Sequence, residues 1–313
     1  MKHNLKITIV LIAMFIITQL IGLWVIHSYS PVSQIVYSAD TGENVSVIVD
    51  QPLPYGMQPP ENSPAPNLIS IIISFVIAIA FVLLLTKFKF KFFMKGWFFV
   101  VVALALAIVF NAVFKNFLAS SWIIALIISV PLAFYKVYKP HFIVHNLTEL
   151  LVYPGIGAVF VPILSIWTLI ILLILISIYD MWAVWHSGVM QKMAKFQMNE
   201  LKIFGGFFVP YLTKEVRDKI KKMRLSKSKN KNKKIKISMA ILGGGDVVFP
   251  LIAAGVVLRL AGIIPALLVT LGATLSLIYL LLTSEKKKFY PAMPFLTVGI
   301  FLGLLAAWAF GCF

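Results

Sequence analysis

Nine apolar stretches, most of them long enough to cross a lipid bilayer as a helix, recur along this 313-residue chain. They lie near Leu5–Ile26, Leu68–Thr86, Trp97–Phe114, Phe117–Tyr135, Thr148–Ile163, Ser165–His186, Ile237–Leu258, Ala261–Leu282 and Pro291–Phe310. Inside hydrocarbon every backbone N–H and C=O needs a partner, which a helix finds within its own segment. The fifth stretch is short and carries Pro154, Gly155, Gly157 and Pro162, so its ends are the least defined. Only 12% of the residues are charged, against about a quarter in a soluble domain. The expectation is an all-α polytopic membrane protein with nine transmembrane helices. The first stretch follows Lys2 and Lys6 as a signal peptide would, but it is longer than a signal core. Pro31 would also sit just after a Ser-Tyr-Ser cleavage site, so the stretch reads as a retained helix.

The net charge of +17 is unevenly spread: 15 of the 28 Lys and Arg residues fall between Gln191 and Lys236. With the N-terminus in the cytoplasm, alternating spans leave only Lys115 and Arg259 on the outer side. The opposite assignment reverses the bias, so basic residues predict an N-in, C-out arrangement. The positive charge is then a topology signal and a means of meeting anionic headgroups; no nucleic-acid partner is expected.

Three parts follow: a six-helix membrane bundle over 1–190, a basic cytoplasmic loop over 191–236, and a three-helix membrane bundle over 237–313. The outer loop 29–66 has no Lys or Arg. Within it Gln34–Ser38 and Val45–Asp50 flank turn-rich Ala39–Asn44, which predicts a β-hairpin before a Pro-rich tail. Asn44-Val45-Ser46 is a glycosylation sequon on that side. The 191–236 loop opens with amphipathic turns, and Leu225–Lys234 reads as disordered.

Ionisable residues within spans are costly and point to function. Two carboxylates lie well inside: Asp180 in the sixth span and Asp246 in the seventh. Glu149 falls at the cytoplasmic lip of the fifth, where headgroups or water can reach it. At about 1.5 Å per residue, Asp246 is roughly 13 Å from the cytoplasmic face and Asp180 roughly 9–15 Å. Overlapping depths on antiparallel neighbours permit a face-to-face pair. Two carboxylates in one desolvated site titrate as a unit, one keeping its proton while the other is anionic. That supplies a base for water and an acid for a scissile carbonyl, with no metal. Position alone equally suits a proton-coupled transporter or channel using the same two aspartates.

The flanking residues favour hydrolysis. Gly243, Gly244 and Gly245 precede Asp246 and Pro250 follows it, which allows close backbone approach and a kink. Tyr179 precedes Asp180 and could offer a hydroxyl. Pro291-Ala292-Met293-Pro294 opens the ninth span and leaves backbone groups that an extended substrate could pair with. Tyr179-Asp180, Gly243-Gly244-Gly245-Asp246 and Pro291-Ala292-Met293 resemble, in order and on the matching helices, the motifs of the presenilin and signal peptide peptidase family. The family's Pro-Ala-Leu element has Met293 in place of Leu, a change conservative in size.

The resemblance, which covers the whole nine-helix plan, implies an intramembrane aspartyl endopeptidase with a presenilin-like fold. It makes Asp180 and Asp246 catalytic, Gly243 and Gly245 motif glycines, and Pro291, Ala292 and Met293 site-shaping. It further implies single-span substrates with their N-terminus outside, and a single-chain, archaeal-type enzyme. No cofactor, metal or obligate partner subunit is expected; self-association stays open.

Other motifs carry less. Asp40-Thr41-Gly42 spells the soluble aspartic protease signature in a loop too short for that β domain, and reads as a hairpin turn. His186 and Ser187 are adjacent on a helix and do not face each other. No His-Glu-x-x-His zinc motif occurs. His3, His27, His141 and His145 read as interfacial. Cys312 alone makes no disulfide within the chain.

Overall fold

The computed structural model describes residues 5–37, 44–49, 51–57, 68–88, 90–139, 141–187, 205–211, 238–284 and 290–312. Among them are nine α-helices: α1 (Leu5–Ser28), α2 (Leu68–Lys87), α3 (Lys91–Phe114), α4 (Ser121–Tyr138), α5 (Phe142–Phe160), α6 (Ile166–Trp182), α7 (Gly245–Ala261), α8 (Ile263–Thr283) and α9 (Met293–Ala309). Among the described residues, six segments are long and apolar enough to cross a membrane: α1, α3, α4, Phe142–Ile163, Ile166–Trp185 and α8. The last helix, α9, is apolar but shorter.

On α9, Leu296, Ile300, Gly303 and Ala307 turn inward, while Val298, Leu302 and Leu305 on the other side are exposed. Both faces are apolar, which suits hydrocarbon and not water. Inside the bundle α1 packs against α5, α7 and α8, burying Leu11, Phe15 and Leu23. Small residues set the spacing. Gly155 lets α5 meet the backbone of α3 at Ala105, and Gly272, Gly299 and Gly303 let α8 and α9 touch backbone to backbone. In lipid, where water does not drive helices together, such close packing supplies much of the attraction.

Two antiparallel hairpins depart from an all-α fold. β1 (Val32–Tyr37) pairs with β2 (Asn44–Val49), running from Val32 opposite Val49 to Tyr37 opposite Asn44. This is the expected hairpin, shifted by one or two residues. Asp40-Thr41-Gly42 lies outside the described residues. β3 (Gly206–Tyr211) pairs with β4 (Ser238–Gly243), Gly206 opposite Gly243 and Tyr211 opposite Ser238.

The second hairpin corrects two expectations. The 191–236 loop contributes a strand, although Leu225–Lys234 lies outside the described residues. The seventh helix starts at Gly245, not Ile237. Ala240 and Leu242 are buried whereas Met239 and Ile241 are exposed, the period of two that marks a strand. A short apolar run reads equally as helix or strand, and here Gly244 alone lies between the strand and the helix.

The fifth helix is also longer than its apolar run. It starts at Phe142, six residues before Thr148, and carries Glu149 two turns into the bundle. Glu149 is 1% exposed and reaches neither headgroups nor water. His145 is likewise buried, not interfacial, while His27 and His141 are exposed.

Candidate active site

Asp180 sits in the last turn of α6, just before the wide turn at Ala183–Ser187. It is buried. The backbone N–H of Met293 donates to Asp180 Oδ2 at 3.1 Å, with the N–H of Ala292 close by. This donor is one of the unsatisfied first amides of α9, which has no side-chain cap of its own. Asp180 therefore caps a neighbouring helix, where the helix dipole favours its negative charge. Pro294 suits the first turn of α9, a position that has no amide partner to lose.

One turn earlier on α6, Ser177 lies 2.8 Å from Thr297. Ser177 donates its single proton to the Leu173 carbonyl at 2.8 Å, so Thr297 is the donor across the helix pair. Pro291 and Met293 are buried. Tyr179 is not: it is 40% exposed, with its ring against Trp182 at 6.3 Å. Adjacent residues point about 100° apart on a helix, so the one that sends Asp180 inward sends Tyr179 outward.

Asp246 occupies the first turn of α7, with the Gly243 N–H near its carboxylate. It lies close enough to Asp180 for the two charges to interact. The three preceding glycines are not equivalent. A Cβ on Gly243 would stand 3.0 Å from Asp246 Oδ2. One on Gly244 would stand 2.8 Å from Tyr153 Oη and 3.1 Å from the Gly205 carbonyl. One on Gly245 would meet nothing nearer than Phe249, at 3.7 Å. Gly243 and Gly244 are packed glycines; Gly245 has room.

Two supports of Asp246 carried no recognisable sequence signal. Gln19, fully buried on α1, donates from Nε2 to the Val247 carbonyl at 3.0 Å. The Gly205 carbonyl, from the remote loop strand, accepts from the Gly244 N–H at 3.0 Å. A third group was legible in part, since Lys136 and Glu149 are opposite charges on consecutive apolar helices. Lys136 Nζ meets Glu149 Oε1 at 2.7 Å, both side chains almost wholly buried. Beside α7 an apolar cavity of about 510 Å³ opens between α2 and α6, lined in part by Ser74, Phe160, Leu172, Val248 and Phe249. Among the described residues no three His, Cys, Asp or Glu side chains gather as a metal site requires.

The fold and site define a polytopic helical membrane protein with two carboxylates brought together inside its bundle. Residues 46–312 match the family described as signal-peptide peptidase, presenilin aspartyl protease, and the chain belongs to that family. It is an integral membrane aspartic endopeptidase. Two solved structures of a presenilin family intramembrane aspartate protease share its fold. One, in C222 form, superposes with TM-score 0.56 at 16% identity, covering 96% of each chain. The other, in P2 form, gives 0.57 at 17% identity, again covering 96% of each. No curated protein matches the chain.

Proposed function

We propose that Asp180 and Asp246 are the catalytic pair and that they hydrolyse peptide bonds of transmembrane segments within the bilayer. The observation that carries this reading is the convergence of two carboxylates from different helices, Asp180 held by the Met293 amide and Asp246 beside the Gly243 N–H, within reach of each other's charge. Such a pair shares one proton. The anionic member takes a proton from water as its oxygen attacks the scissile carbonyl carbon. The neutral member protonates the carbonyl oxygen, giving a tetrahedral diol. Collapse returns a proton to the leaving nitrogen as the C–N bond breaks, and the pair is restored.

The same reading has nine membrane spans, the N-terminus in the cytoplasm and the C-terminus outside. The basic-residue bias supports it, as does the number of helices among the described residues. Substrates are single-span proteins with their N-terminus outside. The apolar cavity between α2, α6 and α7 is suited to admit such a helix from lipid. β4 pairs with β3 along one edge and runs directly into Gly243 beside Asp246. An unwound substrate segment added along the other edge of β4 has its backbone aligned with the dyad.

The test is cleavage of a single-span substrate by the enzyme in liposomes. Asp180→Asn and Asp246→Asn should each lower turnover by roughly a thousandfold or more while the protein stays folded. A peptide mimic with a hydroxyl at the scissile position should inhibit the wild type. Full turnover by either variant would leave the aspartates to a transport role and refute the dyad.

A further inference from the structure

Asp246 owes its placement to the turn Gly243–Asp246, and that turn is bonded to β3, a strand of the loop between α6 and α7. β3 is in turn docked on a single face of α5. Asn146 grips Phe208 in both directions: its Nδ2 donates to the Phe208 carbonyl at 2.7 Å, and its Oδ1 accepts from the Phe208 N–H at 3.0 Å. An amide side chain can do this as a strand would, one donor and one acceptor to the same residue. His145 Nε2 lies 2.8 Å from the Gly206 carbonyl, which only accepts, so this nitrogen carries the proton. The His145 ring also packs on Phe208 at 4.9 Å. Two turns along, Tyr153 meets the fully buried Phe207 edge to face at 5.6 Å.

Behind this face stands the buried ion pair. Glu149 Oε1 is 3.6 Å from His145 Nε2 and is held by Lys136, whose ammonium also lies 3.3 Å from Thr148 Oγ1. A buried pair of this kind is a poor source of stability, because the desolvation of both charges offsets their attraction. It is, however, a rigid backing for a histidine that must point one way. Tyr153 then closes the path. Its hydroxyl fills the place of a Gly244 side chain and lies within electrostatic reach of both Glu149 and Asp246.

We propose that His145 and Asn146, backed by Lys136 and Glu149, are positioning residues for cleavage: they dock β3 on α5, and β3 holds the Gly243–Asp246 turn in its reactive place. The inference rests on Asp246 being catalytic. It makes the loop between the aspartate helices part of the active site, although its docking residues lie on neither of those helices.

Three variants test it on the full-length enzyme in liposomes: Asn146→Ala, His145→Leu and His145→Gln. Turnover of a synthetic single-span peptide is measured per active site, with sites counted by a tight hydroxyl-containing mimic. Hydrogen exchange at 206–211 is followed in parallel. Asn146→Ala and His145→Leu should exchange faster over 206–211 and lose about tenfold or more in kcat, the scale of effect that misplacing a reacting group produces. His145→Gln retains a donor near the Nε2 position and should recover most of both signals.

A role in general stability alone would lower the amount of folded enzyme and leave kcat per site unchanged; that result overturns the proposal. So does unchanged exchange over 206–211 in both Asn146→Ala and His145→Leu, or an equal loss in the Leu and Gln variants. Asp246→Asn run alongside separates the two readings. If it is inactive while Asn146→Ala is normal, only this inference fails; if it is active, the catalytic assignment fails.

Discussion

Asp180 lies at the end of a long apolar helix and is held by the start of another, α9, through the Met293 backbone amide. Asp246 lies at the start of its helix, and what precedes it is a glycine turn bonded to a loop strand. The first carboxylate is placed by helix-to-helix packing inside the bundle. The second depends on a hairpin whose strands are separated by 26 residues of polar sequence, 212–237. Each half of the site is therefore vulnerable in a different place. Changes that loosen α6 against α9 should act weakly, because many packing contacts share the load. Changes that crowd or unseat the Gly243–Asp246 turn should act strongly, because a few bonds define it.

The largest stability effect is expected at the ion pair behind that hairpin. Lys136→Met alone leaves Glu149 buried without its cation and should cost about 3–5 kcal/mol. The double variant Lys136→Met, Glu149→Leu removes both charges and should recover most of the loss. Thermal unfolding in detergent reads both; a double variant no better than the single would mean that the pair is not what Lys136 provides.

Next come the glycines, where the comparison can be sharpened within three residues. Gly244→Ala drives a methyl against the Gly205 carbonyl and the Tyr153 hydroxyl and should reduce cleavage by about a hundredfold. Gly245→Ala meets only ordinary contact with Phe249 and should leave cleavage within about threefold. The reverse order would show that the space beside Gly245 is occupied during reaction, which the packing of the chain itself does not require. Smallest is the α6–α9 hydroxyl bridge: Thr297→Val should cost only about 0.5–1.5 kcal/mol in unfolding and change cleavage little.

Most of this architecture was legible in the residues, and the gaps have physical causes. Apolar length marks where a helix meets hydrocarbon, so most of the stretches were placed within a few residues, whereas α3 begins at Lys91, six residues before Trp97, and α7 at Gly245, eight after Ile237. It does not mark where a helix continues past the hydrocarbon. α5 begins at Phe142, and a helix read only from Thr148 puts Glu149 and His145 at the surface instead of in the bundle. The β1–β2 hairpin was readable because turn-rich Ala39–Asn44 lies between two runs rich in β-branched residues. The β3–β4 hairpin was not, since its strands are far apart and Ile237–Gly243 merges with the helix that follows. Gly205-Gly206 before Phe207, Phe208, Val209 and Tyr211 is the one local hint of a strand there. The two aspartates stood out because carboxylates are expensive in a span. Gln19 and Asn146 did not, because a neutral amide on a helix looks the same whether it packs, caps or positions.

A shared dyad is tested by comparing four enzymes on one single-span substrate: wild type, Asp180→Asn, Asp246→Asn and the double variant. Groups that act as one unit are not additive, so each single variant should be as inactive as the double, at the uncatalysed background. Separate partial losses that multiply in the double variant would contradict a shared dyad.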